Sequence, residues 1–196
     1  MLGYFLFIGI GFMFIEIPLI QRLILFLGHP VYAFSIGLLS LLVSSGLGSL
    51  ASGMMERRNG RFILIALFSL IASAALLYAY LLPPLFSSLA GIKPLFKLLF
   101  ACIFIFPLGF LLGMPFPIGI SRLGERFPSQ VPWAWCMNGC ASVVSSIGAV
   151  MVALREGFGF VFTCAALSYL AALLCLMALR FPGHRDKEDA DALPHL

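Results

Sequence analysis

Charge is what this sequence has least of. Lysine, arginine, aspartate and glutamate together make only 10% of 196 residues, with eight acids and three histidines in all. Against that, 62% of the chain is hydrophobic and the mean hydropathy is +1.09. A water-soluble domain of this size exposes about half of its surface to solvent and needs polar groups to do so. These residues cannot supply them. The scarcity removes function classes as well. No basic patch with interleaved aromatics is present, so no nucleic-acid partner is indicated. His29, His184 and His195 cannot form the paired axial ligands of a membrane cytochrome b, since two of them lie in a polar tail. No serine or cysteine has a histidine placed to act as its base, and neither a GxGxxG nor a Walker loop occurs. No catalytic residue, cofactor or metal is assigned.

Cysteine is sparse too. Cys102, Cys136, Cys140, Cys164 and Cys175 fall in or beside apolar runs, where a secreted disulfide framework does not form. Cys136 and Cys140 share a helix face at i, i+4, but no second ligand pair accompanies them. Small-residue packing accounts for them better than a metal.

What the chain has in quantity is continuous apolar sequence in runs of about 20 residues, the length of a helix across a bilayer. Backbone groups inside lipid must pair within their own segment or in a closed barrel. The runs do not alternate, which selects helices over a barrel. The expected fold is therefore all-α and polytopic. Its six transmembrane helices fall at about 2–27, 31–53, 62–82, 95–120, 133–154 and 158–179, with 1–180 as the membrane domain and 181–196 as a mobile charged tail. Met1 opens on an apolar run with no basic stretch before it, so a cleaved signal peptide is not expected. Pro18 should kink the first helix, Pro83-Pro84 should stop the third, and Pro107, Pro115 and Pro117 should break the fourth. Ser40, Ser44, Gly48 and Ser52 repeat every four positions and invite close approach by a neighbour. Trp133 and Trp135 suit an interfacial belt.

Orientation follows from lysine and arginine. Arg57, Arg58, Arg61, Arg122, Arg126, Arg180, Arg185 and Lys187 fall on one side, and Arg22, Lys93, Lys97 and Arg155 on the other. Both termini are expected in the cytoplasm, with a bacterial inner membrane as the location.

Polar residues within the spans are the candidate site, because each costs free energy that packing alone does not return. The run from Gly11 to His29 carries Glu16, Gln21, Arg22 and His29. Glu16 is the sole acid inside an apolar run, about 21 Å along the first helix at 1.5 Å per residue. Its charge there calls for protonation, an arginine partner or a hydrogen bond to another helix. Arg22 lies six positions on, about 120° around a straight helix, and can snorkel to the interface. Asn138 on the fifth span is a second candidate partner, with Ser142 and Ser145 on the same face. For each of these residues two roles stay open. Glu16 is a proton, cation or substrate site, or a buried clamp fixing helix register. Arg22 is an interface anchor or an ion-pair partner, His29 a turn residue or a ligand, and Asn138 helix glue or a substrate contact.

Four stretches, GFMFIEIPLIQRLILFLGHPVYA, the run ending SGLGSL, GMPFPIG at 113–119 and VPWAWCMNG at 131–139, together resemble the C-terminal membrane portion of bacterial spermidine synthase-like membrane proteins. The likeness covers about Tyr4 to Arg180. It implies a major-facilitator-like bundle attached to a soluble nucleotide-binding domain of the aminopropyltransferase type, which would bind a decarboxylated S-adenosylmethionine-like donor. None of that domain's glycines or acids has a counterpart here, so no catalytic residue carries over. Gly53, Glu56, Arg57, Gly60 and Arg61 sit where major-facilitator folds place a Gly-Asp-Arg-Gly-Arg loop, with Glu for Asp.

Two functions follow. The first is a non-catalytic membrane module, set in the lipid bilayer, that anchors or partners a soluble spermidine-synthase-like enzyme or other membrane subunits. The second is a small proton- or cation-coupled transporter, of a polyamine or another organic cation, acting as a homo-oligomer of six-helix halves.

Overall fold

The computed structural model describes residues 1–55, 60–89 and 91–178. The tail and most of the charged turn after the second helix, including Glu56 and Arg57, lie outside the described residues. The described chain is all-α: α1 (Leu2–Leu27), α2 (Pro30–Met55), α3 (Gly60–Ser88), α4 (Pro94–Leu112), α5 (Pro115–Arg126), α6 (Val131–Glu156) and α7 (Phe158–Ala178). Six segments are long and apolar enough to cross a membrane, with α4 and α5 forming one of them. The protein is a six-helix, multi-pass integral membrane protein.

Helix α1 occupies the centre. It touches every other helix and packs most extensively on α6 and α7. Half of its membrane-length window is buried, the largest share of any span. Tyr4, Phe5, Ile15, Leu19 and Leu23 are enclosed. Gly11 lets it approach α7: a Cβ there would lie 2.7 Å from the Tyr169 ring. Gly3 faces Cys175, so the two ends of the helical chain lie at one face of the bundle. Gly28, in the left-handed region at φ 74°, caps α1 with its N–H on the Ile24 carbonyl and turns the chain into α2.

The small-residue stripe on α2 meets α4. A Cβ at Gly48 would strike the Phe110 carbonyl, one at Gly109 the Ser44 hydroxyl, and one at Gly113 the Ser45 carbonyl. At Gly48 and Gly113 backbone meets backbone, and at Gly109 only the small Ser44 side chain intervenes, the packing that lipid favours where hydrophobicity gives no drive. Ser44 is fully buried, and its hydroxyl donates to the Ser40 carbonyl at 2.6 Å. Ser40 donates to Cys102 of α4 at 3.3 Å.

Proline behaves differently in the two helices where a stop was anticipated. Pro83 and Pro84 lie inside α3, which continues to Ser88. A proline supplies helical φ; inside a helix it removes the bond its own N–H would have made and crowds the carbonyl four residues earlier, which bends a helix without having to end it. The hydroxyls of Ser87 and Ser88 donate to the Pro84 and Leu85 carbonyls, each at 2.8 Å, and hold the added turn. In the fourth span Pro107 stays within α4, and the break falls at Gly113-Met114. The span then extends as α5 to Arg126, so Arg122, Glu125 and Arg126 are helical rather than in a loop. The Tyr78 hydroxyl of α3 donates to the Phe104 carbonyl of α4, three residues before Pro107.

Gly48→Ala is expected to lower stability by about 1–3 kcal/mol, because the added methyl must push two backbones apart. Gly53→Ala, with open space around it, is expected to be neutral or stabilising. Thermal unfolding in detergent followed by circular dichroism distinguishes the two, and equal behaviour would contradict this packing.

Candidate functional site: a cleft at a broken helix

The break between α4 and α5 has a local cause. Pro115 and Pro117 carry no N–H, so the carbonyls four residues earlier lose their helical donors. Leu111 is compensated by the Met114 N–H at 3.3 Å. The Gly113 carbonyl has no i+4 donor, because Pro117 stands in that place. Tyr4 fixes the restart of the helix by donating its buried hydroxyl to the Pro115 carbonyl at 2.6 Å. Irregular backbone at membrane depth is stable only when enclosed by protein or facing a hydrated cavity.

Here it faces a cavity. A cleft of about 500 Å³ is lined by Phe12 and Met13 of α1, Ser45, Gly46 and Ser49 of α2, the break at Gly113 and 115–117, Asn138 and Ser142 of α6, and Tyr169 of α7. Helix α1 forms the floor. Helices α2 and α6 form the walls and make little or no direct contact with each other. The volume is within the usual range for small-molecule sites, about 300–1,000 Å³.

The hydroxyls of the walls are oriented by their own helices. Ser45 donates to the Leu42 carbonyl at 3.2 Å and Ser142 to the Asn138 carbonyl at 2.9 Å. Gly9 lets α6 sit close to α1: a Cβ at that position would lie 2.7 Å from the Asn138 carbonyl and 3.0 Å from its Oδ1. On the far side, Phe116 meets the Trp135 ring edge-on, with centroids 4.5 Å apart.

Of the six residues singled out in the sequence, the cleft brings together two, Asn138 and Ser142. Glu16 is half-buried on α1, one turn beyond Phe12 and Met13 on the same strip of the helix. It has no hydrogen-bond or ion-pair partner among the described residues. Asn138 packs at Gly9, seven residues or about 10 Å along α1 from Glu16, which explains why the two do not pair. Arg22 does not pair with Glu16 either. Its guanidinium lies 5.8 Å from the centre of the Phe158 ring, and its Nε is buried without a hydrogen bond. Gln21 is exposed. His29 is exposed at the α1–α2 turn, edge-on to Tyr32. At the same end of the bundle, Lys97 donates to the Phe26 carbonyl at 3.3 Å. Sequence reading missed Ser45, Ser49, Phe12 and Tyr169. They are unremarkable one at a time and become a site only when four distant stretches meet.

No protein-family model, curated protein or solved structure matches the chain.

If the cleft is hydrated, a thiol placed in it will ionise and react, whereas one in lipid will not. In a background with all five cysteines changed to serine, Ser49→Cys should label with a charged maleimide. Leu50→Cys, 75% exposed on the neighbouring face, should not. Equal labelling would mean the cleft holds no water.

Proposed function

We propose that this chain is a non-catalytic module of a bacterial inner membrane, with both termini in the cytoplasm, that assembles with a second protein through the face carrying α2 and α6. The observation that carries this reading is a mismatch between exposure and composition. Only 11% of the membrane-length window of α6 is buried, against 50% for α1, yet α6 and α2 have the lowest hydropathy of the six spans. A helix meant for lipid alone would be the most apolar. Cys136, Gly139 and Cys140 are exposed on α6, as is Gly46 on α2, where Ser45 and Ser49 are half-buried, and small residues of this kind mark helix–helix contact in membranes. The likeness to spermidine synthase-like membrane proteins suggests the partner: a soluble enzyme of that type, or further membrane subunits that connect to one.

A second reading is favoured by Glu16. A partnerless carboxylate in an apolar span costs about 2.5–3.5 kcal/mol on insertion scales, and a transporter has a use for it. In that reading the chain works as an oligomer of six-helix halves, with the α4–α5 break as the flexing element and a cation or proton at Glu16.

Photo-crosslinking in native membranes from positions 143 and 147, exposed on α6, should capture a discrete protein, while position 174 on α7 should not. Capture of lipid alone from both helices would end the module reading. Proteoliposome uptake of an organic cation that falls at least about tenfold in Glu16→Gln would support transport, and uptake indifferent to that change would remove it.

A further inference from the structure

The cleft's lining narrows what can occupy it: beside the donors of Ser49, Tyr169 and the Asn138 amide, it offers several acceptor oxygens and ring faces and no fixed positive charge. Ser45 and Ser142 give their hydroxyl protons to carbonyls of their own helices, so what they offer a ligand is oxygen lone pairs. The Gly113 carbonyl, deprived of a helical donor by Pro117, adds another acceptor. The Asn138 carboxamide lines the same space and can turn its oxygen toward a ligand. Three aromatic rings, Phe12, Phe116 and Tyr169, line it together with aliphatic side chains such as Ile8, Leu42 and Leu112, and no lysine or arginine is part of it. Arg22 and Lys97 are engaged elsewhere, over Phe158 and on the Phe26 carbonyl. Acceptor oxygens together with ring faces suit a positively charged N–H donor. One helical turn away, about 6 Å along α1 from Phe12, stands the carboxyl of Glu16, which has no partner among the described residues.

We propose that the cleft binds an alkylammonium cation at the α4–α5 break, with the N–H groups on the acceptor oxygens around Gly113 and Asn138, the alkyl part against Phe12 and Phe116, and Glu16 supplying the balancing charge. The site rests on the transport reading for Glu16 but places the ammonium two turns from it, where the motif 113–119 meets Asn138, with the alkyl part at Phe12 one turn away. Binding requires no translocation and can be measured without it.

The test uses the full chain in nanodiscs, with Trp133→Phe leaving Trp135 as the single tryptophan beside Phe116. n-Butylammonium should quench Trp135 saturably, and 1-butanol, its uncharged counterpart, should not at equal concentration. Glu16→Gln should weaken n-butylammonium at least about tenfold, equivalent to about 1.4 kcal/mol. Phe12→Leu, which keeps apolar bulk and removes the ring, should weaken it severalfold while the thermal melt stays unchanged. Equal binding of the alcohol, or unchanged affinity in both variants, overturns the site. Saturable binding without proteoliposome uptake keeps the site and removes the transport reading. Uptake that falls in Glu16→Gln but shows no quenching of Trp135 and no sensitivity to Phe12→Leu removes the site and leaves transport standing.

Discussion

Lipid offers no hydrogen bonds, and this structure depends on how the chain meets that constraint. Six spans satisfy their backbones internally as helices. The exceptions are localised at prolines, and each is treated differently. In α3 the helix runs through Pro83 and Pro84, and serine hydroxyls hold the last turn. In α4 the Tyr78 hydroxyl bonds a carbonyl just before Pro107. At Gly113-Met114 the helix gives way, and Tyr4 of the central helix fastens the restart. That buried hydrogen bond joins the hub of the bundle to the span interrupted at Gly113-Met114, and the cleft opens beside it.

The same hub explains why close packing and polarity coexist. Glycines at 9 and 11 of α1 bring α6 and α7 against it, and glycines at 48, 109 and 113 bring α2 and α4 backbone to backbone. Helix α1 is thereby held between two pairs of helices, with α2 on one side and α6 on the other. These two walls do not close over it. The carboxyl of Glu16 sits on the strip of α1 that runs toward this opening, which gives a half-buried acid somewhere to act.

Much of the architecture was legible in the sequence, because continuous apolar runs of membrane length and glycine-histidine-proline punctuation are local signals. The first helix was readable to the residue, and the stripe from Ser40 to Ser52 announced close contact without saying with what. The α3 prolines misled because propensity treats proline as a terminator, whereas a helix in lipid has no cheaper state to adopt. The site was only half legible. Asn138 and Ser142 drew notice as polar residues in a span, and Glu16 as an acid in one. Their expected pairing was not found, since helical register, set by Gly9, places Asn138 two turns from Glu16. The remaining lining is ordinary serine, glycine and phenylalanine, and no local pattern distinguishes those that face a cleft from those that face lipid.

The account stands on α1 as the packed centre of the bundle, antiparallel to α7 and in register with it. The direct test is oxidative crosslinking in native membranes. With the other four cysteines changed to serine, Gly3→Cys places a second thiol facing Cys175, whose sulfur lies 3.5 Å from the position of that Cβ. Rapid, near-complete disulfide formation with Cys175, absent when the new thiol is instead placed at the exposed Leu25, is the predicted result. Failure at position 3, or equal crosslinking from position 25, would contradict the central placement of α1.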